Sequence, residues 1–130
     1  MRRKNLEMIP LTHKLKLESC GLKAVAGYKR IRNKRQVLEL RFDESAGCLR
    51  TPSGGGSRQY LVIRRGSEWH TRIMSPREAA RLMGAPDTYK LPGTFNDGYK
   101  AMGDAVAVPV AAYLAKNLLA PLAEACRGHA

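Results

Sequence analysis

The residues best placed to do chemistry form a short glycine-rich segment between two arginines. Residues 50–58 read R-T-P-S-G-G-G-S-R. Because glycine and serine let the backbone come close to a ligand with its N–H groups free, such a segment can bind an anion. It lacks the Lys-Ser/Thr ending of a P-loop, so a nucleotide-binding loop is not expected. Two interpretations remain open from the residues alone: a hairpin loop that contacts an anion, and a hairpin loop that does not.

The distribution of charge points to the same class of ligand. The chain has 130 residues and a net charge of +12, from 23 Lys and Arg against 11 Asp and Glu. Residues 1–35 alone hold eleven basic and two acidic residues. A polyanionic partner is the simplest cause of such an excess. A solvated basic arm without a partner is the alternative.

Neither the cysteines nor the histidines form a pattern that carries chemistry. Cys20, Cys48 and Cys126 are odd in number and far apart, which is typical of reduced thiols and not of a disulfide framework or a metal site. The histidines show no ligand spacing to one another or to cysteine. No continuous hydrophobic segment follows the basic N-terminal residues, so no signal peptide is predicted, and we find no apolar run long enough to span a bilayer. A cytoplasmic protein with no membrane partner is expected.

A basic hairpin is predicted ahead of the glycine-rich segment in the chain. Residues 28–32 and 37–42 are predicted strands joined by a turn at Asn33-Lys34. Basic residues interleaved with Tyr28 can follow phosphates. An exposed hairpin with no ligand would have the same sequence.

A second hairpin and a short helix are predicted from apolar spacing. Residues 60–63 and 68–73 predict two strands, with Trp69 as a packing residue and not a base-stacking platform. A helix is predicted across residues 12–20, with Leu15 and Leu17 facing a core.

A well-delimited helix is predicted over residues 76–83. Ser75 can cap it, Pro76 suits its first position, and Glu78 can complete a capping box. Gly84 can adopt the left-handed conformation that ends it.

Two further helices are predicted after a turn. The first covers residues 97–102, capped by Asn96 and ended by Gly103. The second runs from Asp104 towards Leu119 with an apolar stripe. The stripe consists of Ala111, Leu114, Ala115, Leu118 and Leu119.

Proline complicates both ends of this last helix. Pro109 conflicts with a helix that starts at Ala105, so either the helix begins near Val108 or its first turn is irregular. Residues 120–130 contain Pro121 and weak patterning, and are predicted to fray.

Two blocks in this region resemble signature blocks of the DNA (cytosine-5) methyltransferases. Residues 72–89 read R-I-M-S-P-R-E-A-A-R-L-M-G-A-P-D-T-Y, similar to the family block R-x-L-[ST]-x-R-E-x-A-R-L-x-G-[FYL]-P-D-x-Y. Residues 99–110 read Y-K-A-M-G-D-A-V-A-V-P-V, similar to Y-K-x-x-G-[ND]-[AS]-V-x-V-P-V. The glycine-rich segment resembles a loop of the family's target recognition domain. The chain therefore resembles the C-terminal part of such an enzyme.

The resemblance implies contact between the glycine-rich segment and double-stranded DNA, from which the family flips its target base. The residues that would make this contact are Arg50, Thr51, Ser53, Gly54, Gly55, Gly56, Ser57 and Arg58. The DNA target sequence does not follow from these residue types, because readout depends on which side chains reach base edges.

The resemblance also implies what this sequence lacks. In the family, a cysteine thiolate in a Pro-Cys dipeptide adds to cytosine C6, so that C5 accepts a methyl group from S-adenosylmethionine. None of the three cysteines here follows a proline, and no F-x-G-x-G cofactor loop is present. We therefore expect no catalytic residue in this sequence and no methyl transfer by the chain alone.

One segment is implied to contact S-adenosylmethionine once the missing catalytic part is present. It comprises Gly103, Asp104, Ala105 and Val106. Asp104 stands where Asn is commoner in the family, and it can accept but not donate hydrogen bonds. Ala85 stands where an aromatic residue or Leu is usual, which removes an apolar contact.

The sequence thus predicts an α+β fold with two regions: short β-hairpins of a recognition region over residues 1–73, then helices over residues 74–130. The expected function is the C-terminal portion or small subunit of a DNA (cytosine-5) methyltransferase, with a catalytic domain or subunit as its partner. The alternatives are a stand-alone basic DNA-binding module and a purely structural interaction domain. Without the catalytic part, the apolar stripe, with Val106 and Val110, is expected to cause self-association.

Overall fold

The computed structural model describes residues 2–51 and 58–127 of the chain. The chain divides into two compact units, Met1–Ser75 and Pro76–Ala130. The first unit combines short helices with a small antiparallel sheet, and the second is helical in its described part. The α+β content agrees with the predicted fold class.

A four-stranded antiparallel sheet in the order β2-β1-β3-β4 forms the centre of the first unit. Its strands are β1 (Ala24–Arg32), β2 (Arg35–Arg41), β3 (Gln59–Arg65) and β4 (Glu68–Ile73). Both predicted hairpins are confirmed. The turn between β1 and β2 holds Asn33 and Lys34 at φ values of 49° and 60°, the left-handed pair that matches the twist of a two-residue hairpin.

The core of the first unit lies between one face of the sheet and two helices, α1 (Arg2–Glu7) and α2 (Leu11–Ser19). Its buried members are Ile9, Leu17, Val25, Leu38, Leu40, Tyr60 and Val62. Trp69 packs against this cluster, as predicted. The prediction for Leu15 is wrong: it is 61% exposed, because a nine-residue helix offers one narrow stripe to the sheet and Leu17 occupies it. Helix α1 has no counterpart among the predicted elements.

The second unit begins with helix α3 (Pro76–Leu82), which confirms the predicted helix to within one residue. Gly84 ends it with a φ of 76°. The N–H of Gly84 donates to the carbonyl of Arg81 at 3.0 Å, and that of Ala85 to the carbonyl of Ala80 at 2.9 Å. This pair of bonds is a Schellman motif, for which glycine is the natural residue.

Helix α4 (Phe95–Asp104) corrects two predictions. Its cap is Thr94 and not Asn96, because the hydroxyl of Thr94 accepts a hydrogen bond from the N–H of Asp97 at 3.1 Å. Gly103 does not end the helix; Asp104 is its last residue instead of the first residue of the next helix.

The last helix begins at α5 (Val108–Leu114), which confirms the first of the two alternatives raised by Pro109. It continues through a π-helical segment (Ala115–Leu119) into α6 (Ala120–Arg127). The prediction that the tail frays is wrong up to Arg127. Because Pro121 has no N–H to donate and its ring crowds the carbonyl four residues earlier, the wider π turn before it accommodates the proline without ending the helix.

By length and composition, one helical stretch meets the criteria for a membrane span. Phe95–Arg127 has a mean hydropathy of 1.5 in its most apolar 18-residue window, and none of that window is buried. The expectation that no such stretch exists is therefore wrong on these two criteria, since alanine raises the hydropathy without forming an obvious run. Length and composition alone are weak evidence for a span, and the helix is interrupted at residues 105–107.

Candidate nucleic-acid interface and cofactor segment

The face of the sheet opposite to the core is rich in arginine. Paired residues of antiparallel strands lie on the same face, and side chains alternate along each strand. The register pairs Tyr28 with both Glu39 and Gln59, and Ala26 with Arg41. The polar residues of β1, β2 and the start of β3 on this face, which we call the arginine face, are Tyr28, Arg30, Arg32, Arg35, Glu39, Arg41 and Gln59.

A groove of about 420 Å³ opens beside these residues. It is lined by Tyr28, Lys29, Arg30, Arg41, Gly47, Cys48, Arg50 and Gln59. Three arginines therefore border one concave surface. The guanidinium carbon of Arg30 lies 4.8 Å from the ring centroid of Tyr28, a cation–π contact that orients this arginine.

The carboxylate of Glu39 lies between two arginines of this face. Its Oε1 accepts a hydrogen bond of 2.7 Å from Nε of Arg32, and its Oε2 lies 3.7 Å from Nε of Arg30. The hydrogen bond from Arg32 holds the pKa of the Glu39 carboxyl below its ordinary value, against the opposing effect of partial burial. Glu39 is therefore an ionised internal partner for the basic groups around it.

A second internal ion pair joins Arg41 to Asp43. Nε and Nη2 of Arg41 donate to Oδ1 and Oδ2 of Asp43 at 3.2 and 2.5 Å. The hydroxyl of Ser45 also donates to Oδ1, at 2.8 Å. These hydrogen bonds, led by that from Arg41, hold the pKa of Asp43 well below its usual range.

Gln59 fixes the chain where it enters the glycine-rich segment. It is the first residue of β3 and is 3% exposed. Its Oε1 accepts from the N–H of Gly47 at 3.1 Å, and its Nε2 donates to the carbonyl of Cys48 at 3.2 Å. A Cβ atom at Gly47 would lie 2.7 Å from that Oε1, so any other residue there would displace the Gln59 amide from this position. The only signal of this role in the sequence is a glutamine directly after the segment.

The predicted DNA-contacting residues are only partly within the described chain. Arg50 is exposed and borders the groove, while Thr51 and Arg58 are half-buried. Ser53, Gly54, Gly55, Gly56 and Ser57 lie outside the described residues. Tyr28, Arg30 and Arg41 line the same groove as Arg50, and the sequence alone did not place them there.

A larger cavity, of about 660 Å³, lies elsewhere in the first unit. It is bordered by residues of α1, α2 and β4, including Leu6, Leu17 and Trp69. None of the predicted site residues lines it. The smaller groove, whose lining includes Arg50, is therefore the candidate interface.

The predicted cofactor segment consists of the last two residues of α4 and the first two residues of the link to α5. Gly103 is half-buried, and Asp104, Ala105 and Val106 are exposed. Ala105 is extended, with φ −77° and ψ 156°. The four residues are thus contiguous and three of them are accessible.

Both ends of this segment are anchored to the rest of the second unit. Before it, Tyr99 and Met102 of α4 are buried, at 0% and 4% exposure. After it, the N–H of Val108 donates to the carbonyl of Met83 at 2.8 Å. A Cβ atom at Gly84 would lie 2.6 Å from Cδ of Pro109, so this glycine also allows α5 to begin close to the end of α3.

Arginines of α3 hold the loop that follows it. Nε and Nη2 of Arg81 donate to the carboxylate of Asp87 at 2.8 and 3.1 Å, which lowers the pKa of Asp87. Nη2 of Arg77 donates to the carbonyl of Tyr89 at 2.7 Å. Several charged positions of the first signature block are therefore used in local structure.

The cysteines and the other metal-ligating residue types form no metal site within the described part of the chain. Cys20, Cys48 and Cys126 are free thiols. Within residues 2–51 and 58–127, no group of three or more His, Cys, Asp or Glu could hold a metal ion.

Comparisons with known proteins give a consistent family. The model of the C-5 cytosine-specific DNA methylase family matches residues 12–120. The chain is 34% identical over 89 residues to the DNA (cytosine-5)-methyltransferase CMT2 of Oryza sativa subsp. japonica, covering 68% of this chain and 6% of that protein. It is 44% identical over 48 residues to the Type II methyltransferase M.HhaI of Haemophilus parahaemolyticus, covering 37% of this chain and 15% of that protein.

A third relative shows a shorter and closer match. The Putative DNA (cytosine-5)-methyltransferase CMT1 of Arabidopsis thaliana is 59% identical over 39 residues, covering 30% of this chain and 5% of that protein. The chain therefore spans only a small part of the length of each of these three relatives. The search of solved structures gave no significant match.

Proposed function

Because this chain belongs to the C-5 cytosine-specific DNA methylase family, we propose that it supplies the C-terminal recognition part of a DNA (cytosine-5) methyltransferase. In this role it binds double-stranded DNA through its first unit and contributes one edge of the S-adenosylmethionine pocket through its second. Methyl transfer to cytosine C5 needs a catalytic part that carries the Pro-Cys nucleophile.

The arginine face and the groove beside it support DNA binding. Arg30, Arg41 and Arg50 border one surface in a chain with a net charge of +12. Gln59 fixes the approach to the glycine-rich segment, so the residues proposed to contact DNA, from Arg50 to Arg58, start from a defined position.

The segment from Gly103 to Val106 is proposed to contact S-adenosylmethionine. Asp104 can accept hydrogen bonds, including from the ammonium group of the cofactor. The exposure of Asp104, Ala105 and Val106, with anchored chain on either side, suits a segment that completes a pocket on another surface.

The proposal of a catalytic partner rests on one observation. Every residue of the last helix from Val108 to Arg127 is exposed. Leu114, Leu118 and Leu119 are 46%, 50% and 59% exposed. Burying one such side chain stabilises a complex by roughly 1.5–3 kcal/mol, so several exposed leucines on one helix favour a partner surface. We propose that this surface is the catalytic part.

The alternative is a stand-alone basic DNA-binding module. It shares the arginine face with the main proposal but leaves the last helix without a function. The two proposals differ in whether a catalytic part binds this helix.

DNA binding is tested by the salt dependence of affinity for a duplex. Release of phosphate counterions predicts a steep linear fall of log affinity with log salt. Arg58→Ala should weaken binding more than Arg127→Ala, a matched change in the last turn of α6. Affinity that does not change between low and moderate salt would contradict an electrostatic interface.

A further inference from the structure

The arginine face carries more positive charge than its internal partners compensate. Five arginines lie on it or border its groove, namely Arg30, Arg32, Arg35, Arg41 and Arg50. The two carboxylates paired with them are Glu39 and Asp43. On its other side the sheet packs against the apolar core.

The position of these arginines determines which part of a duplex they can contact. Strand β3 pairs with β1 only over residues 24–28, so Arg30, Arg32 and Arg35 lie where the sheet is two strands wide. A two-stranded ribbon fits the major groove of B-DNA, which is about 12 Å across. Guanidinium groups on such a ribbon can meet the phosphates on either side of the groove, and phosphate contacts fix position without reading the sequence.

We propose that the arginine face binds the sugar-phosphate backbone of duplex DNA, and that Glu39 and Asp43 are internal counter-ions that lower its affinity. This inference rests on the proposed function and adds to it separate roles for the arginines and the carboxylates of this face. The arginine face positions the duplex without reading its sequence, and its own carboxylates keep the binding weak enough for release.

The contacts of Glu39 account for this role. Its carboxylate bridges Nε of Arg32 at 2.7 Å and Nε of Arg30 at 3.7 Å, while those two arginine side chains remain 59% and 53% exposed. The guanidinium groups can thus meet a phosphate while part of their charge is neutralised from the side. Asp43 has the same relationship to Arg41, whose side chain is 40% exposed.

Removing one carboxylate therefore should tighten DNA binding. Glu39→Gln and Asp43→Asn are each expected to raise the affinity of the full chain for duplex DNA roughly two- to fivefold at low salt, as expected for an exposed charge interaction. Asp43 lies in an exposed loop, so its variant keeps the test valid if Glu39→Gln fails to fold. Glu18→Gln removes a carboxylate from α2, on the core side of the sheet, and is expected to leave the affinity unchanged.

Sequence independence separates a backbone contact from base readout. Two 20-base-pair duplexes of unrelated sequence should respond equally to each variant in fluorescence anisotropy titrations. Arg30→Gln should lower the slope of log affinity against log salt by about one for both duplexes. A response confined to one duplex would contradict a backbone site.

The outcomes distinguish this inference from the proposed function. Wild-type chain that binds DNA but shows no tightening in Glu39→Gln or Asp43→Asn would overturn the internal counter-ion role alone. Wild-type chain that binds polyphosphate, with tightening in both variants, but does not bind duplex DNA would overturn DNA as the ligand and with it the proposed function.

Discussion

Gln59 and Gly47, twelve residues apart in the chain, are joined by a hydrogen bond of 3.1 Å from the backbone N–H of Gly47 to Oε1 of Gln59. The same side chain donates to the carbonyl of Cys48 at 3.2 Å. A single buried amide thus satisfies two backbone groups at the start of the segment that leads to Arg50. This contact links the sheet to the proposed DNA-binding loop.

We expect Gln59→Ala to destabilise the first unit and to weaken DNA binding. The change leaves two backbone groups without their partner, and each such loss costs roughly 1–3 kcal/mol. Thermal unfolding followed by circular dichroism measures the stability, and anisotropy measures the affinity. Gln36→Ala, on an exposed position of β2, is the matched control. Unchanged stability and affinity in Gln59→Ala would show that the contact does not order the loop.

Acid should destabilise the folded chain partly through Glu39. Its pKa in the folded state is lowered from 4.5, first by the hydrogen bond from Arg32. The stabilisation is therefore fully present above about pH 4.5 and is lost as the pH falls through the lower folded-state pKa. Melting temperatures measured from neutral to acidic pH should decline less steeply in Glu39→Gln than in wild type. Parallel profiles for the two proteins would contradict a stabilising ion pair at Glu39.

The sequence was sufficient to predict elements whose signals are local. The hairpin turn at Asn33-Lys34 and the glycine stop at Gly84 are of this kind, because their left-handed conformations are encoded by one or two residues. Both hairpins and helix α3 lie where they are predicted.

Other features could not be predicted from the sequence, because they depend on competition between neighbouring residues or on long-range strand pairing. Thr94 and Asn96 are both good caps, and only the folded chain shows that Thr94 is used. The last helix continues past Pro121 through a π-helical segment, and no residue type in the sequence predicts such a segment. The groove beside Arg50 depends on the strand register, which brings Tyr28, Arg30 and Arg41 to it from other elements.

The isolated chain is expected not to bind S-adenosylmethionine measurably. The segment from Gly103 to Val106 supplies one exposed edge of a pocket, and the proposed remaining walls belong to the catalytic part. Isothermal titration calorimetry of the chain alone should show no heat of specific binding. Micromolar binding would mean that this chain forms the pocket by itself.

Self-association of the isolated chain is expected through the last helix. Leu114, Leu118 and Leu119 are about half exposed, and an apolar surface of this kind tends to find a partner. Leu114→Asp should shift the chain towards monomer in light scattering at matched concentration. Lys116→Ala, two residues further along the same helix, serves as a control for the position.

Salt-dependent DNA binding by Leu114→Asp should remain close to that of wild type, since the proposed DNA-binding residues belong to the other unit. A wild-type chain that stays monomeric at high concentration would refute the predicted self-contact. Loss of DNA binding together with self-association would mean that the two properties are not separable.

The most direct test of the account is a methyl-transfer assay on duplex DNA with radiolabelled S-adenosylmethionine. The chain is assayed alone, beside a catalytic part of a family member that carries the Pro-Cys nucleophile and ends before its own recognition region, and in a mixture of the two. Label should enter cytosine only in the mixture, and Leu114→Asp should reduce that incorporation. A mixture as inactive as its separate components, or a chain that transfers methyl groups alone, would contradict the proposal that this chain completes a divided methyltransferase.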